Sequence, residues 1–371
     1  MFKTLKDIPQ KDLKNKRVLL RADFNVPVGD DRIVDEKEDW RIKAVLPTIK
    51  YLIGARAKII ILTHLGRPNG RVEESLRLGP VQDKLTELLD MSVKKIPDCV
   101  GRKVKEAIAE MEEGEILMLE NLRFHKEEEK NDKNFAGKLA ELGDIYINDA
   151  FGVSHRAHAS TVAITEFLPS YAGLLLQKEI DVLEKILEKS DRPAVALIGG
   201  KKTETKLPVI NILTEACDYV LVGGAIANEI INTPISKEVA PNVILPINCV
   251  IKKGDCLDIG DDSVKEFSKF IRNARTIVWN GPMGEFEKPE FAEGTKGVIE
   301  AIDAAYSNGA KVIIGGGETI LALQKFAPSF FGYSDGFDKL TAGRMHISTG
   351  GGAMLEFLAG EKLPGIEALN K

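Results

Sequence analysis

Arginines and histidines recur where this sequence passes from an apolar run into a polar turn, and guanidiniums in such positions are suited to gripping a small polyanion. Val18–Leu20 runs into Arg21, Asp23 and Asn25, and Ile59–Leu62 into Thr63, His64 and Arg67. Ile116–Leu119 leads to Glu120, Asn121 and Arg123, and Ile145–Ile147 to Asn148 and Asp149, with His155, Arg156 and His158 close behind. Arg41 joins them from a nearby helix start. Guanidinium forks match phosphate and carboxylate oxygens two at a time. Asp23 and Asn25 would then bind a substrate hydroxyl or orient an arginine. Any one of these arginines alone reads best as a surface or capping side chain; the shared strand-end position favours a ligand for the set.

The second half supplies glycines in the same positions: Gly199-Gly200-Lys201-Lys202, Gly223-Gly224, Asn280-Gly281-Pro282-Met283-Gly284, Gly315-Gly316-Gly317-Glu318-Thr319 and Gly350-Gly351-Gly352. Glycine lets a backbone approach a ligand closely, and N–H groups at a following helix start favour phosphate. None of these runs is a GxxxxGK[ST] loop and none completes GxGxxG. A single Gly-Gly is usually only a tight turn, but five at strand ends point to a nucleotide.

Other candidates offer less. His155 and His158 form an HxxH without a third ligand at metal-site spacing, so anion binding or packing is the better reading. His125 and His346 read as structural, and Glu127-Glu128-Glu129 as a solvated helix face. The four cysteines, Cys99, Cys217, Cys249 and Cys256, make no CxxC pair and no zinc template. Scattered thiols of this kind are expected to stay free in a reducing cytosol.

The elements that must position these residues are strands covered on both faces, because the apolar runs are continuous rather than alternating. Four occur in each half, the later ones at Val195–Ile198, Tyr219–Val222, Thr276–Trp279 and Val312–Ile314. They alternate with helical stretches such as 80–90, 101–112, 261–273 and 297–307, which indicates parallel α/β sheets. In such sheets ligands bind beyond the carboxyl ends of the strands. A connecting helix is expected over 174–189, where Leu176, Ile180, Leu183 and Leu187 stripe one face. The chain has 371 residues, 44% apolar and 29% charged, enough for two or three packed domains. A net charge of −5 argues against a general nucleic-acid partner. The start, MFKTLKDIPQ, has no apolar h-region, and no window approaches a membrane span, so a soluble, unexported protein is expected.

With these motifs in place the chain resembles the phosphoglycerate kinases. Arg21–Pro27 (RADFNVP), Thr63–Pro68 (THLGRP), Glu120–Phe124 (ENLRF), Asn148–Gly152 (NDAFG) with His155–Ser160, Val278–Gly284 (VWNGPMG) and Ser348–Ala353 (STGGGA) occur in that family's order and span nearly the whole chain. The resemblance implies two Rossmann-like three-layer αβα domains with parallel sheets, joined by a helix and closing by hinge bending. A first domain, 1–172, would bind 3-phosphoglycerate and a second, 190–361, the nucleotide, with 173–189 as connector and the tail 362–371 returning to the first. Asp23, Asn25, Arg41, His64, Arg67, Arg123 and Arg156 would hold the acid. Lys202 would bridge the migrating phosphoryl, and Lys206, Gly316, Gly317, Glu318 and Thr319 would serve the nucleotide phosphates. Glu287 would meet the ribose and Gly223-Gly224 the adenine. Mg²⁺ would travel with ATP or ADP, with Glu318 as its carboxylate. A cytoplasmic monomer is the family-level expectation. The chain departs from the family pattern at Ala22, Thr205, Ala225 and Glu318, and Lys201 stands beside Lys202.

The implied chemistry needs no general base, since a carboxylate nucleophile is already ionised at pH 7. What remains is to align two anions and neutralise the transferring group. Arg41 and Lys202 are the expected cations, helped by N–H groups near Gly317 and Gly352. Two rival readings are a dinucleotide-dependent oxidoreductase, disfavoured by the missing GxGxxG after the first strand, and an inactive relative that binds without catalysing.

Overall fold

The computed structural model describes residues 2–200, 206–233, 240–252, 254–331 and 344–370. The chain divides into two compact units, residues 1–180 with 362–371, and 181–361.

The first unit is built on β1 (Arg17–Ala22), β2 (Lys58–Leu62), β3 (Val93–Lys95), β4 (Ile116–Met118), β5 (Ile145–Asp149) and β6 (Ser170–Ala172). They form one sheet in the order β3-β4-β2-β1-β5-β6. Every pairing is parallel. Parallel neighbours need crossovers, supplied by α1 (Trp40–Gly54), α2 (Gly79–Leu89), α3 (Arg102–Ala109) and α4 (Lys133–Ala140). The helices cover the sheet, so Leu19, Leu20, Ile60 and Ile61 are all fully buried, as continuous apolar strands require.

The helix expected over 174–189 runs Leu174–Lys189 and is designated α5. Its apolar stripe is buried at Leu176, Ile180, Leu183 and Ile186. Its N-terminus is capped by Asp149, whose Oδ1 accepts the N–H groups of Leu175 and Leu176 at 2.9 and 3.0 Å. Burial pushes the Asp149 carboxyl up to about 7. The C-terminal tail is stitched to the same region, with Asn148 Nδ2 donating to Gly365 O at 3.1 Å and Gly365 N to Ser154 O at 2.8 Å.

The second unit contains β7 (Ala194–Ile198), α6 (Leu207–Ala216), β8 (Tyr219–Val222), α7 (Gly224–Asn232) and β9 (Val243–Ile244). It continues through β10 (Cys249–Lys252), β11 (Asp255–Ile259), α8 (Asp261–Asn273), β12 (Thr276–Asn280), α9 (Glu293–Ser307), β13 (Lys311–Gly315), α10 (Gly317–Phe326), β14 (Met345–Ser348) and α11 (Gly351–Leu358). Its main sheet is again six-stranded, in the order β14-β13-β12-β7-β8-β9, and parallel throughout. β10 and β11 form a separate antiparallel hairpin. Cys249 and Cys256 are joined across that hairpin by a disulfide, which corrects the expectation of free thiols. Their separation of seven residues gave no sign of it, and the two are not register partners in the hairpin, where Cys249 pairs with Ile259 and Cys256 with Ile251. Cys99 and Cys217 remain free and buried.

No helix among the described residues is long and apolar enough to cross a membrane.

Candidate active site

The basic residues of the first unit stand on the turns that leave β1, β2, β4 and β5, at one edge of the sheet. β1 ends at Ala22, and the turn after it carries Asp23, which is 5% exposed. Asp23 Oδ1 accepts its own turn's Asn25 N–H at 3.1 Å, and Oδ2 accepts Arg41 Nη1 at 3.1 Å. Arg41, near the start of α1, also donates to Asn25 O at 3.3 Å and lies 5.0 Å over the Trp40 ring. Asn25 Oδ1 takes the N–H of Gly66 at 2.8 Å, which ties the turn after β1 to the turn after β2. Gly66 in turn accepts Arg123 Nη1 through its carbonyl at 2.8 Å. Asn121 completes the lattice, donating to Leu65 O at 2.7 Å and Leu76 O at 3.0 Å and accepting Arg123 N at 3.1 Å.

The electrostatics show how closely these groups stand. His64 is buried, and burial followed by the charges of Arg21, Arg123 and Arg41 holds its pKa well below the usual range, so it stays neutral. Burial lowers Arg123 to about 10, with Arg21 and Arg156 pushing the same way and Glu129 opposing. The same surroundings depress His155, through burial first and Arg156 second. His158 falls to about 3, through burial and then Arg21, Arg123 and Arg156. Cations that repel one another in this way stabilise a polyanion placed among them. Arg67 is exposed on the turn after β2, and Arg156 is half-buried with Nε 3.2 Å from His155 Nε2.

Two readings of this region need correction. Arg21 is wholly buried: Nε donates to Ser160 Oγ at 2.8 Å, Nη1 donates to Ala22 O, and Nη2 lies 3.3 Å from His64 Nδ1. It braces the site from beneath. Glu128, expected on a solvated face, is fully buried and accepts both the N–H and the hydroxyl of Ser160.

In the second unit the strand-end glycines are packed main chain against main chain. A Cβ on Gly199 would lie 2.1 Å from Pro282 O, on Gly281 2.2 Å from Gly199 O, on Gly351 2.4 Å from Gly316 Cα, and on Gly224 2.7 Å from Gly200 N. No real Cβ tolerates such contacts, so these positions demand glycine for the approach of turn to turn. Gly199 N donates to Asn280 O at 3.0 Å, Gly200 N to Pro282 O at 2.9 Å and Gly224 N to Met283 O at 3.0 Å, which closes the turns after β7, β8 and β12 into one floor. Gly223 N reaches back to Ile198 O at 2.9 Å. Gly317 and Gly352 differ, because a Cβ at either would meet nothing within 4 Å. Both lie at helix starts, where the first N–H groups lack intrahelical acceptors.

A shallow cleft opens on this floor, walled by Gly200, Gly224, Ala225, Cys256, Leu257, Glu285, Glu287 and Glu318. Glu318 is exposed in the first turn of α10, preceded by Gly316 at φ +98. Thr319 is buried, and its Oγ1 accepts Gly281 N at 2.8 Å. Lys206 Nζ donates to Gly199 O at 2.5 Å. Lys202, with Lys201 and Thr205, lies outside the described residues. The wall from Cys256 and Leu257 was not foreseen; no sequence signal marks a hairpin far from the glycine motifs as part of their cleft.

Comparison with known proteins bears on what this arrangement does. The family model of phosphoglycerate kinase matches residues 5–241 and 231–361. A phosphoglycerate kinase of Pelotomaculum thermopropionicum is 43% identical, covering 99% of this chain and 98% of its own. That of Moorella thermoacetica is 42% identical over 99% of both chains. A chloroplastic phosphoglycerate kinase of Volvox carteri is 41% identical over 100% of this chain and 86% of its own. Among solved structures, the phosphoglycerate kinase from Pyrococcus horikoshii superposes with a TM-score of 0.82 at 35% identity, covering 100% of this chain and 98% of that one. The Coxiella burnetii enzyme gives 0.78 at 32%, covering 100% and 99%.

Proposed function

This chain belongs to the phosphoglycerate kinase family, and from that premise we propose how its own residues divide the work. The reaction is the reversible transfer of a phosphoryl group from 1,3-bisphosphoglycerate to ADP, giving 3-phosphoglycerate and ATP, with a carboxyl group as acceptor in the return direction.

The first unit holds the acid. Arg41, Arg123, Arg156 and Arg67 neutralise its phosphate and carboxylate, Asp23 and Asn25 meet its hydroxyl and aim Arg41, and neutral His64 donates or accepts one further hydrogen bond. The observation that carries this assignment is the lattice Asp23–Arg41–Asn25–Gly66–Arg123, which preorganises two guanidiniums, one from the start of α1 and one from the turn after β4. The second unit holds the nucleotide on its glycine floor. Gly223, Gly224 and Ala225 lie along the base, Glu287 at the ribose, and Lys206, Gly316, Gly317 and Thr319 at the phosphates. Glu318 faces the same cleft with an exposed carboxylate, which fits an oxygen-preferring Mg²⁺ arriving with ATP or ADP. That ion would offset charge on the nucleotide phosphates.

In the direction of 1,3-bisphosphoglycerate formation, the carboxylate oxygen attacks the terminal phosphorus as the bond to the ADP oxygen breaks, in line. No proton leaves the nucleophile, so no base is called for. Arg41 and Lys202 balance the charge on the transferring group, with N–H donors from Gly317 and Gly352. Exclusion of water when both ligands are present protects the acyl phosphate from hydrolysis. We place the protein in the cytoplasm as a monomer, without nucleic-acid or membrane partners.

Equilibrium binding tests the division of labour. Arg123→Ala is expected to lose 3-phosphoglycerate binding while keeping MgADP binding; loss of MgADP instead would overturn it.

A further inference from the structure

We propose that Asp98, Cys99 and His125 form a binding site for a borderline-soft divalent cation of the Zn²⁺ class, using no residue assigned above to the acid or the nucleotide. One donor atom from each lies within 4.8 Å of the other two. The three come from the segment after β3 and the turn after β4, which are neighbours because these strands pair and because Glu120 N donates to Asp98 O at 3.3 Å.

The geometry is partly set already. His125 Nε2 and Asp98 Oδ1 are 2.9 Å apart, a hydrogen bond that needs to open only to about 3.4 Å to seat both atoms on a tetrahedral cation. The Phe135 ring stacks on the imidazole at 4.9 Å and 28°, which fixes the plane in which Nε2 points. Asp98 Oδ1 also accepts the N–H of Cys99 at 2.7 Å, so carboxylate and thiol are held beside each other. The Cys99 thiol is fully buried and donates to Glu120 O at 2.9 Å. Asp98 is 56% exposed and His125 28%, which leaves an entry from solvent on one side.

The donor set selects the ion. One thiolate, one imidazole and one carboxylate suit Zn²⁺ or Co²⁺ in a tetrahedral site completed by water, and they suit Mg²⁺ or Ca²⁺ poorly, because those ions want oxygen throughout. Burial and then the charges of Asp98, Glu120 and Glu128 keep the Cys99 thiol protonated, with Lys95 opposing. The same carboxylates create a negative potential that attracts a dication. Binding therefore exchanges the Sγ proton, released to solvent, for the metal, and the bond to the Glu120 carbonyl is given up. The competing account is a plain Asp–His ion pair lying over an inert cysteine.

The full-length protein without added reductant decides between them, since Cys249 and Cys256 are then disulfide-bonded and only Cys99 and Cys217 carry thiols. Titration with Co²⁺ is expected to give one equivalent with a near-ultraviolet thiolate-to-cobalt charge-transfer band, bleached by Zn²⁺ and untouched by Mg²⁺. Cys99→Ser should abolish the band, and His125→Gln should weaken Zn²⁺ binding at least about tenfold. Affinity should also rise with pH while the thiol is protonated. Absence of the band, its survival in Cys99→Ser, or unchanged Zn²⁺ affinity in His125→Gln would overturn the proposal. His125→Gln alters a partly exposed side chain and serves alone should Cys99→Ser not fold.

Discussion

Arg41 Nη1 donates to Asp23 Oδ2 at 3.1 Å, so a guanidinium carried by a helix is aimed by a carboxylate on the turn after the first strand. The pair is largely buried, with side chains 21% and 6% exposed. It holds the guanidinium in one direction, and removing Arg41 leaves the Asp23 carboxylate without its cation. Arg41→Ala should lose at least about 10²-fold in turnover, the worth of one preorganised donor to developing charge. Because the substitution also destabilises the fold, turnover is read at a temperature where thermal unfolding shows the variant still folded. Turnover near that of the parent would remove Arg41 from the mechanism.

Gly224 sits at φ +64 with Gly200 N only 2.7 Å from where a Cβ would be. Gly224→Ala combines backbone strain with a clash against main chain, which cannot swing aside as a flexible side chain can. The KM for ADP should rise about tenfold or more, for a distortion of ~1–2 kcal/mol. The KM for 3-phosphoglycerate should be unmoved. Steady-state kinetics with each substrate varied separately reads both, and a parallel rise in the two constants would contradict the separate placement of the ligands.

Asp149 offers a test by pH. An unfolded aspartate ionises near 4, whereas this one, buried under the start of α5, does so at about 7. Between those values the folded protein keeps a proton that the unfolded chain has lost. The group's stabilising contribution is therefore complete below about pH 4 and declines as pH rises through 7. Asp149→Asn keeps an oxygen for the N–H groups of Leu175 and Leu176 and removes the titration. Its urea-unfolding free energy should fall less between pH 4.5 and 7.5 than the parent's, by on the order of a few kcal/mol at most. Identical slopes for the two proteins would show that the carboxyl titrates normally.

The Cys249–Cys256 bond joins β10 to β11, and Cys256 lies in the wall of the cleft proposed above for the nucleotide. Asn228 Nδ2, on α7, donates to Cys256 O at 2.8 Å, and Glu285 N to Leu257 O at 2.9 Å. Dithiothreitol should lower the stability of the second unit by about 2 kcal/mol, the chain-entropy worth of so short a loop, and raise the KM for ADP. A Cys249→Ser/Cys256→Ser protein should be insensitive to the reductant. A response to dithiothreitol that persists in that variant would place its origin elsewhere.

Much of this arrangement was readable from residue order, and the exceptions have physical causes. All eight continuous apolar runs are strands, because only a strand covered on both faces needs such a run. β3, β6, β9 and the hairpin strands β10 and β11 escaped. β3 reads Val-Lys-Lys, β6 is three residues with Ser170 and Tyr171 half-buried, and β9 is two residues at a sheet edge. β10 is largely exposed and ends in Lys252, and β11 is interrupted by Asp255 and Asp258, so none of the five builds a buried apolar stretch. β14 escaped because its fully buried segment reads Met-His-Ile-Ser, with polar His346 and Ser348 inside. Arg21 and Arg123 look equivalent in sequence. Arg21, however, is still within β1, paired beside Leu62 and Asn148, and is held among neighbours, while Arg123 lies a full turn beyond its strand. Glu128 was misplaced because its partner Ser160 is 32 residues away, a distance no local pattern spans.

Because Gly199, Gly224, Gly281 and Gly351 are spent on main-chain contacts, the floor beneath the cleft proposed for the nucleotide offers few replaceable groups with which to discriminate one purine from another. If the nucleotide binds as proposed, base selectivity is left to the rim, to Ala225, Leu257 and Glu287. Directed evolution toward guanosine nucleotides would therefore find its tolerated substitutions there, and lineages drifting in base preference would leave the glycines untouched.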